Sequence, residues 1–225
     1  MASLSTSDAE RYRKVILSSP FISHVTLERV PDRKIITEMV DGIMTYHDGD
    51  IPMHNLSSMF KKLAHQNESV RAAVQRLAGG RGLTIGFGAN YHELFKPVEW
   101  WGLASMDGID HSVLDVVAMA GALDGWIPVT NPVERSKYHL YQIESDELGA
   151  TFPRGYFSFI YGAGVHLNGP ESIRPIIDSL KPGGFLALHR TALVHPEMTG
   201  VLESSGRIYK DGGSLLLVFH KNGIL

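Results

Sequence analysis

Two glycines and an acidic residue stand where this sequence could hold a nucleoside. Gly86 and Gly88 follow the apolar run 83–85, and glycine there lets the backbone turn tightly and lets a ligand approach the main chain. Asp110 lies about two dozen residues further on, at the end of the next apolar run. A carboxylate at that position can accept hydrogen bonds from both ribose hydroxyls of an adenosine. Asp110 could instead simply cap the helix that follows.

The eleven histidines raise the question of a metal site. The densest group is His47-Asp48-Gly49-Asp50 with His54. Its spacing matches no ligand pair on a helix, and Asp-Gly-Asp is ordinary turn composition, so we expect no metal. No Ser-His-Asp order with a nucleophile elbow and no phosphate loop with Lys-Ser/Thr is present, which excludes hydrolase and kinase interpretations.

Composition narrows the class of protein further. The chain has 225 residues, 44% hydrophobic and 20% charged, which fits one domain with a sizeable core. A formal net charge of -3 leaves no positive surplus to bind a phosphate backbone, so we expect no nucleic acid partner. No apolar run reaches the roughly 18 residues of a membrane helix. Zero cysteines and the absence of signal-peptide features in Met1 to Thr6 favour a cytoplasmic protein that does not bind membranes.

The period of the apolar residues changes near residue 80 and divides the chain in two. Residues 1–68 read as short amphipathic helices, including one with Leu56, Met59, Phe60 and Leu63 on one face, and a further helix carries Val70, Val74 and Leu77. After residue 80, short apolar runs alternate with helical patterns, which is typical of a mainly parallel sheet covered by helices. The C-terminal part reads as a hairpin, so we expect a sheet that is mixed at one edge. The predicted strands are Leu83–Gly86, Trp101–Ile109, Tyr138–Ile143, Phe157–Ala163, Phe185–His189, Arg207–Tyr209 and Ser214–His220.

Five stretches, in this order and at this spacing, resemble the class I S-adenosylmethionine-dependent methyltransferases. They cover roughly residues 69–220, and they are Leu83–Asn90 (LTIGFGAN), Gly108–Ser112 (GIDHS), Tyr141–Leu148 (YQIESDEL), Tyr156–Tyr161 (YFSFIY) and Leu180–Gly184 (LKPGG). The last is the most specific, because a helix end, a proline and two glycines there allow the chain to reverse into the next strand.

The resemblance implies a three-layer Rossmann-like domain over residues 69–225, with S-adenosylmethionine lying across the carboxyl ends of the first strands. Four residues would then pass beneath the methionine part of the cofactor: Gly86, Phe87, Gly88 and Asn90. Asp110 would hold the ribose, His111 would flank the adenine, and Glu144 and Ser145 would approach its amino group.

The same resemblance places Tyr161 and the loop to His166 opposite the methyl group. A histidine can take the proton of a nucleophile near neutral pH, although His166 could also be a solvent-facing loop residue. Residues 1–68 would form a lid, from which Tyr12 or Tyr46 could offer an aromatic wall to the sulfonium and the substrate. Single aromatics of this kind can also be simple packing.

Three positions depart from the family pattern. The family has an acidic residue at the position of Thr84, a third glycine at that of Asn90 and an aspartate at that of Ser158. Because the first of these helps to hold the ammonium end of the cofactor, threonine removes a charge there. Glu93 or Glu144 could supply it, or the methionine end could be held differently, or cofactor binding could have been lost.

The interpretation that best fits all of these features is a methyltransferase that acts on a small molecule by in-line displacement at the methyl carbon. The alternatives are a lyase or cyclase that breaks another carbon–sulfur bond of the cofactor and releases methylthioadenosine, and a non-catalytic binding module with the same fold. A homodimer is compatible with the sequence, which names neither the acceptor nor the pathway.

Overall fold

A mixed eight-stranded sheet organises the part of the chain that the structure describes. The structure is a computed structural model, and it describes residues 18–25, 56–87, 92–162, 165, 167, 169–189, 196–210 and 216–222. The strands are β1 (Ile22–His24), β2 (Arg81–Ile85), β3 (Ser105–Asp110), β4 (Tyr138–Gln142), β5 (Phe157–Gly162), β6 (Leu180–His189), β7 (Gly206–Lys210) and β8 (Leu216–Lys221). The helices are α1 (Leu56–Gln66), α2 (Glu68–Val74), α3 (His92–Trp101), α4 (Val113–Trp126), α5 (Pro132–Arg135), α6 (Leu148–Thr151), α7 (Pro170–Ser179) and α8 (Pro196–Ser205).

The strand order is β1-β4-β3-β2-β5-β6-β8-β7. Every pair from β1 to β6 is parallel, whereas β8 pairs antiparallel with both β6 and β7. The predicted mainly parallel sheet and its C-terminal hairpin are therefore confirmed. None of the helices in the described ranges is long and apolar enough to cross a membrane.

Helices cover both faces of the sheet and give the predicted three layers. One face packs against α1, α2, α3 and α4 through an aromatic group in which Phe60 contacts Trp101 (5.1 Å between ring centroids) and Phe159 (5.1 Å). The other face packs against α6, α7 and α8 through aliphatic residues such as Ile176 and Leu202. Every residue of β3 and of β5 is buried, as expected for central parallel strands covered on both sides.

Two segments differ from the sequence prediction. Trp101 ends α3 and does not open a strand, because Gly102 follows with φ +63 and terminates the helix; β3 begins only at Ser105. Ile22–His24, in the third of the chain predicted to be helical, is a short parallel strand on the open edge of β4. There the Leu140 N–H donates to the carbonyl of Phe21 at 2.7 Å, so the edge of β4 gains a partner.

The two predicted helices that precede β2 are confirmed as α1 and α2, the latter capped by the Asn67 side chain, which accepts from the Val70 N–H at 3.1 Å. The rest of the predicted helical stretch, ahead of residue 56, lies outside the described residues except for 18–25.

A carboxyl group lies inside the sheet near the amino ends of its strands. Asp107 is 1% exposed, and neither of its carboxylate oxygens has a hydrogen-bond partner among the residues that the structure describes. Burial raises the pKa of Asp107 to about 7, and the Arg81 guanidinium opposes this rise only in part. The Arg81 guanidinium itself lies 4.9 Å from the ring centroid of Tyr156.

Asp107 should make the protein less stable as pH rises from about 4 to about 7. The unfolded carboxyl ionises near pH 4, so in this range the folded protein keeps a proton that the unfolded chain has released. The pKa values of the unfolded and the folded carboxyl set an upper bound on the order of 4 kcal/mol on the loss of unfolding free energy. The loss is complete above about pH 7. Urea unfolding near pH 4.5 and near pH 8 should show that Asp107→Asn removes most of this loss. His139 and His220, whose pKa values are lowered by burial, are present in both proteins and contribute to both pH slopes alike. A variant with the wild-type slope would contradict the assignment.

Two glycines near the antiparallel edge should respond to alanine in opposite directions. A Cβ at Gly206 would overlap the His220 carbonyl and the Phe219 ring, whereas a Cβ at Gly200, inside α8, meets nothing within 4 Å. We expect Gly206→Ala to lower the free energy of unfolding by about 1–3 kcal/mol. Gly200→Ala should raise it by about 0.5–1 kcal/mol, because alanine is the better helix former. Urea unfolding of both variants checks this, and effects of the same sign would show that the pairing of β7 with β8 is wrong.

Candidate functional site

The carboxyl ends of β2, β3, β4 and β5 meet at one edge of the sheet. The register aligns Ile85 of β2 with Ile109 of β3 and with Gly162 of β5, and it aligns Asp110 with Gln142 of β4. From β2 the chain goes first to β3 and β4 on one side of the sheet and then to β5 and β6 on the other. The connections therefore diverge at β2 and β5, and open parallel sheets bind ligands outside the carboxyl ends of strands at such a switch point.

The turn after β2 is held by its backbone and by one buried side chain. Gly86 has φ +63, a conformation that glycine adopts without strain, and its N–H donates to the Ile109 carbonyl at 2.9 Å. Phe87 points into the core, 2% exposed, and a Cβ on Gly108 would lie 3.0 Å from its ring. Because the Phe87 side chain is directed inward, the main chain of the partly exposed Gly86 is what lines the edge here.

Asp110 ends β3 beside this turn. Its side chain is buried, with 5% exposure, and Oδ1 accepts from the Ser112 N–H at 2.9 Å. Helix α4 is capped by Ser112, whose Oγ accepts from the Asp115 N–H at 3.3 Å. The alternative that Asp110 is only the cap of the following helix is therefore wrong. The carboxylate is fixed in place by one backbone donor at the end of its strand.

His111 and Gln142 complete the wall next to Asp110. Nδ1 of His111 lies 3.4 Å from Asp110 Oδ1, and the imidazole is 71% exposed. Gln142 ends β4, and its side-chain amide donates to the His111 carbonyl at 3.4 Å. Sequence reasoning missed Gln142, although a polar last residue on the strand next to Asp110 was the available signal.

Glu144 and Ser145 follow β4 at the same edge, in a single 3-10 turn. Glu144 is exposed, its N–H donates to the Glu147 carboxylate at 2.8 Å, and its own side chain accepts from the Glu147 N–H. This reciprocal capping box holds the turn, and with it the Glu144 carboxylate, in one orientation.

Three predicted or unusual residues of the strands are buried: Tyr161, Thr84 and Ser158. The last two differ from the family pattern. Tyr161 is fully buried in β5, with its ring 5.5 Å from that of Phe159. Thr84, its neighbour in register on β2, is also fully buried, and its hydroxyl has no hydrogen-bond partner within the described ranges. Ser158 lies at the opposite, amino edge, where its side chain fills the space beside Gly80. The serine at residue 158, which differs from the family pattern, therefore affects packing near the start of β2, away from the candidate site.

Several predicted residues fall outside the described residues, and their roles stay predictions. They are Gly88, Asn90, His166, Tyr12 and Tyr46, together with the His47-to-Asp50 run and His54.

No protein-family model matches this chain, and no curated protein matches it. Solved structures do match. A protein of Methanococcus maripaludis, provisionally classed as an S-adenosylmethionine-dependent methyltransferase, is 9% identical, covers 100% of this chain and 98% of its own, and has a TM-score of 0.52. A protein of Corynebacterium glutamicum is 11% identical, covers 96% of this chain and 97% of its own, and has a TM-score of 0.51.

These likenesses extend over nearly the whole chain at an identity of 9% and 11%, so they concern the fold. The strand order, the antiparallel C-terminal hairpin and the glycine turn after the central strand agree with the architecture that the five sequence motifs predict. The chain therefore has the three-layer Rossmann-like fold of the class I S-adenosylmethionine-dependent methyltransferases.

Proposed function

We propose that this protein is an S-adenosylmethionine-dependent methyltransferase that acts on a small-molecule acceptor. The observation that carries the proposal is that Gly86 and Asp110 directly follow the aligned residues Ile85 and Ile109, which places both at the carboxyl edge of the sheet beside the switch point. The fold supports the general kind of activity. The small-molecule acceptor rests on the net charge of -3, which leaves no surplus of positive charge for a nucleic acid.

The residues at this edge fit the nucleoside half of the cofactor. Asp110 offers a carboxylate whose position is fixed by the Ser112 N–H, as a ribose-binding acid needs. The exposed His111 imidazole stands beside it and would flank the adenine, and Glu144 and Ser145 would approach the adenine amino group. Gly86 would let the main chain come close to the methionine part, with Gly88 and Asn90 following it.

Thr84 provides no charge for the ammonium end of the cofactor. Its side chain is fully buried in β2, so Thr84 does not contact a ligand at the edge of the sheet. A carboxylate elsewhere at this edge would have to face the ammonium group. Because Glu144 is assigned to the adenine, at the other end of the cofactor, the carboxylate that stays available for this role is Glu93, at the start of α3.

The cofactor supplies an activated methyl group on a sulfonium, which is a good leaving group. What remains for the chain is to orient the acceptor, exclude water and remove a proton. We assign the removal of the proton to His166. Residues 1–68 would form a lid whose Tyr12 or Tyr46 would face the substrate. The predicted contact of Tyr161 with the methyl group is not retained, because its side chain is fully buried in β5 among core residues.

Removing the Asp110 carboxylate should weaken cofactor binding. Charged hydrogen bonds to the ribose are worth on the order of 1.5–3 kcal/mol, so Asp110→Ala should raise the Kd for adenosylhomocysteine by about 10- to 100-fold. The matched control is Asp178→Ala, which deletes an exposed carboxylate of α7 that pairs with Arg154 at 3.3 Å. Calorimetry should show wild-type affinity for the control. Equal affinity of wild type and Asp110→Ala would overturn the site.

His166→Ala should slow methyl transfer without changing cofactor affinity. The acceptor is identified first. The wild type is incubated with deuteromethyl-labelled adenosylmethionine and a pool of small metabolites. Mass spectrometry then detects adenosylhomocysteine and the metabolite that carries the label. With that acceptor, His166→Ala should lower the single-turnover rate at least about 100-fold. Retention of more than about a tenth of the rate would refute the role of a general base. Methylthioadenosine as the product would refute methyl transfer itself.

A further inference from the structure

A basic cavity lies at the edge of the sheet opposite the candidate cofactor site. It has a volume of about 420 Å³ and is bounded by α1, α2 with the turn after it, and the end of α3. Helix α3 ends where the Gly79 N–H donates to the Gly102 carbonyl at 2.8 Å, next to the start of β2. The length of β2 therefore separates this cavity from the glycine turn, a distance of roughly 15 Å.

All of the ionisable side chains that line the cavity are basic. Lys61, His65 and Arg71 line it, and no carboxylate is among the lining residues. In the described part of the chain, neither Lys61 nor Arg71 forms an ion pair. By contrast Lys96, just outside, is paired with Glu99 at 3.5 Å. The positive charge inside the cavity is therefore not neutralised from within the described protein.

The rest of the wall consists of two tryptophans, small or branched apolar residues and one glutamine. Trp101 is 8% exposed and is held by edge-to-face contacts with Phe60 (5.1 Å) and Phe159 (4.7 Å). Trp100 is half-buried beside it, and the Lys61 ammonium lies 4.1 Å from its ring centroid. The Lys96 ammonium also lies 5.2 Å from the Trp100 ring centroid, so the indole attracts two cations beside the apolar lining of the cavity.

We propose that this cavity is a second binding site, which takes a small anion with a flat, apolar body, such as an aromatic carboxylate, sulfonate or phosphate ester. The flat body would pack against Trp100 and Trp101, and the anionic group would lie between Lys61 and Arg71. The volume lies within the roughly 300–1,000 Å³ of small-molecule sites. Gln75, which also lines the cavity, offers a neutral hydrogen-bonding group to the same ligand. This site is independent of the proposed methyltransferase activity.

The test uses naphthalenesulfonate as the probe and calorimetry of the full chain as the readout. The wild type should bind the probe, and it should bind the uncharged naphthalenemethanol at least tenfold more weakly. Affinity for naphthalenesulfonate should fall as sodium chloride is raised, because the attraction is electrostatic. Inorganic sulfate, which lacks the flat body, should not compete at equal concentration.

Charge reversal locates the site. Lys61→Glu and Arg71→Glu should each weaken naphthalenesulfonate binding at least tenfold. The matched control is Lys62→Glu, which makes the same change on the same helix at an exposed residue outside the cavity lining, and it should bind as the wild type does. Circular dichroism and the Tm confirm that each variant is folded.

Trp100→Ala, which removes half of the flat wall without changing charge, should also weaken binding. No binding to the wild type would overturn the proposal. Equal losses in Lys61→Glu and Lys62→Glu would also overturn it, because they would show a general surface attraction and no defined site.

Discussion

The register of β2 with its two parallel neighbours is the constraint on which the rest of the structure depends. Ile85 is aligned with Ile109 on one side and with Gly162 on the other, so three strands end at the same level. When aligned parallel strands end at the same height, the residues that follow them lie at one edge of the sheet. Here these residues include Gly86 and Asp110. A slip of one residue would turn the buried side chains of β2 to the opposite face. Burial of the strand on both sides therefore also holds the candidate site together.

The two faces of the sheet are stabilised by different kinds of packing. On one face, rings from three parts of the chain meet, with Phe60, Trp101 and Phe159 each within about 5 Å of another ring. Large planar groups fill the space beneath α1 and α3 and fix the orientation of the helix ends. The other face is mainly aliphatic beneath α7 and α8, and it carries the buried Asp107 near its amino edge. The protonation of that single carboxyl links the stability of the sheet to pH.

The two edges of the sheet differ in chemistry. At the carboxyl edge, side chains of both Asp110 and Glu144 present carboxylates, each held by a backbone N–H or a capping box. At the amino edge, Lys61 and Arg71 line a cavity together with Trp100 and Trp101. A protein with a net charge of -3 thus gathers, in one cavity, basic side chains that form no ion pair with the residues that the structure describes, and this favours a ligand of opposite charge there.

Local residue patterns were sufficient to predict the helices α1 and α2, the central parallel strands, the C-terminal hairpin and the glycine turn followed by Asp110. Period, capping and turn chemistry are properties of consecutive residues. They could not reveal that Ile22–His24 pairs with β4, that Gln142 stands beside Asp110, or that Tyr161 is fully buried. The same holds for Trp100 and Trp101, which lie at the end of a helix that lines a cavity and not on a strand. Each of these depends on which distant segments pack together, and lateral register and burial arise from contacts between residues far apart in the chain.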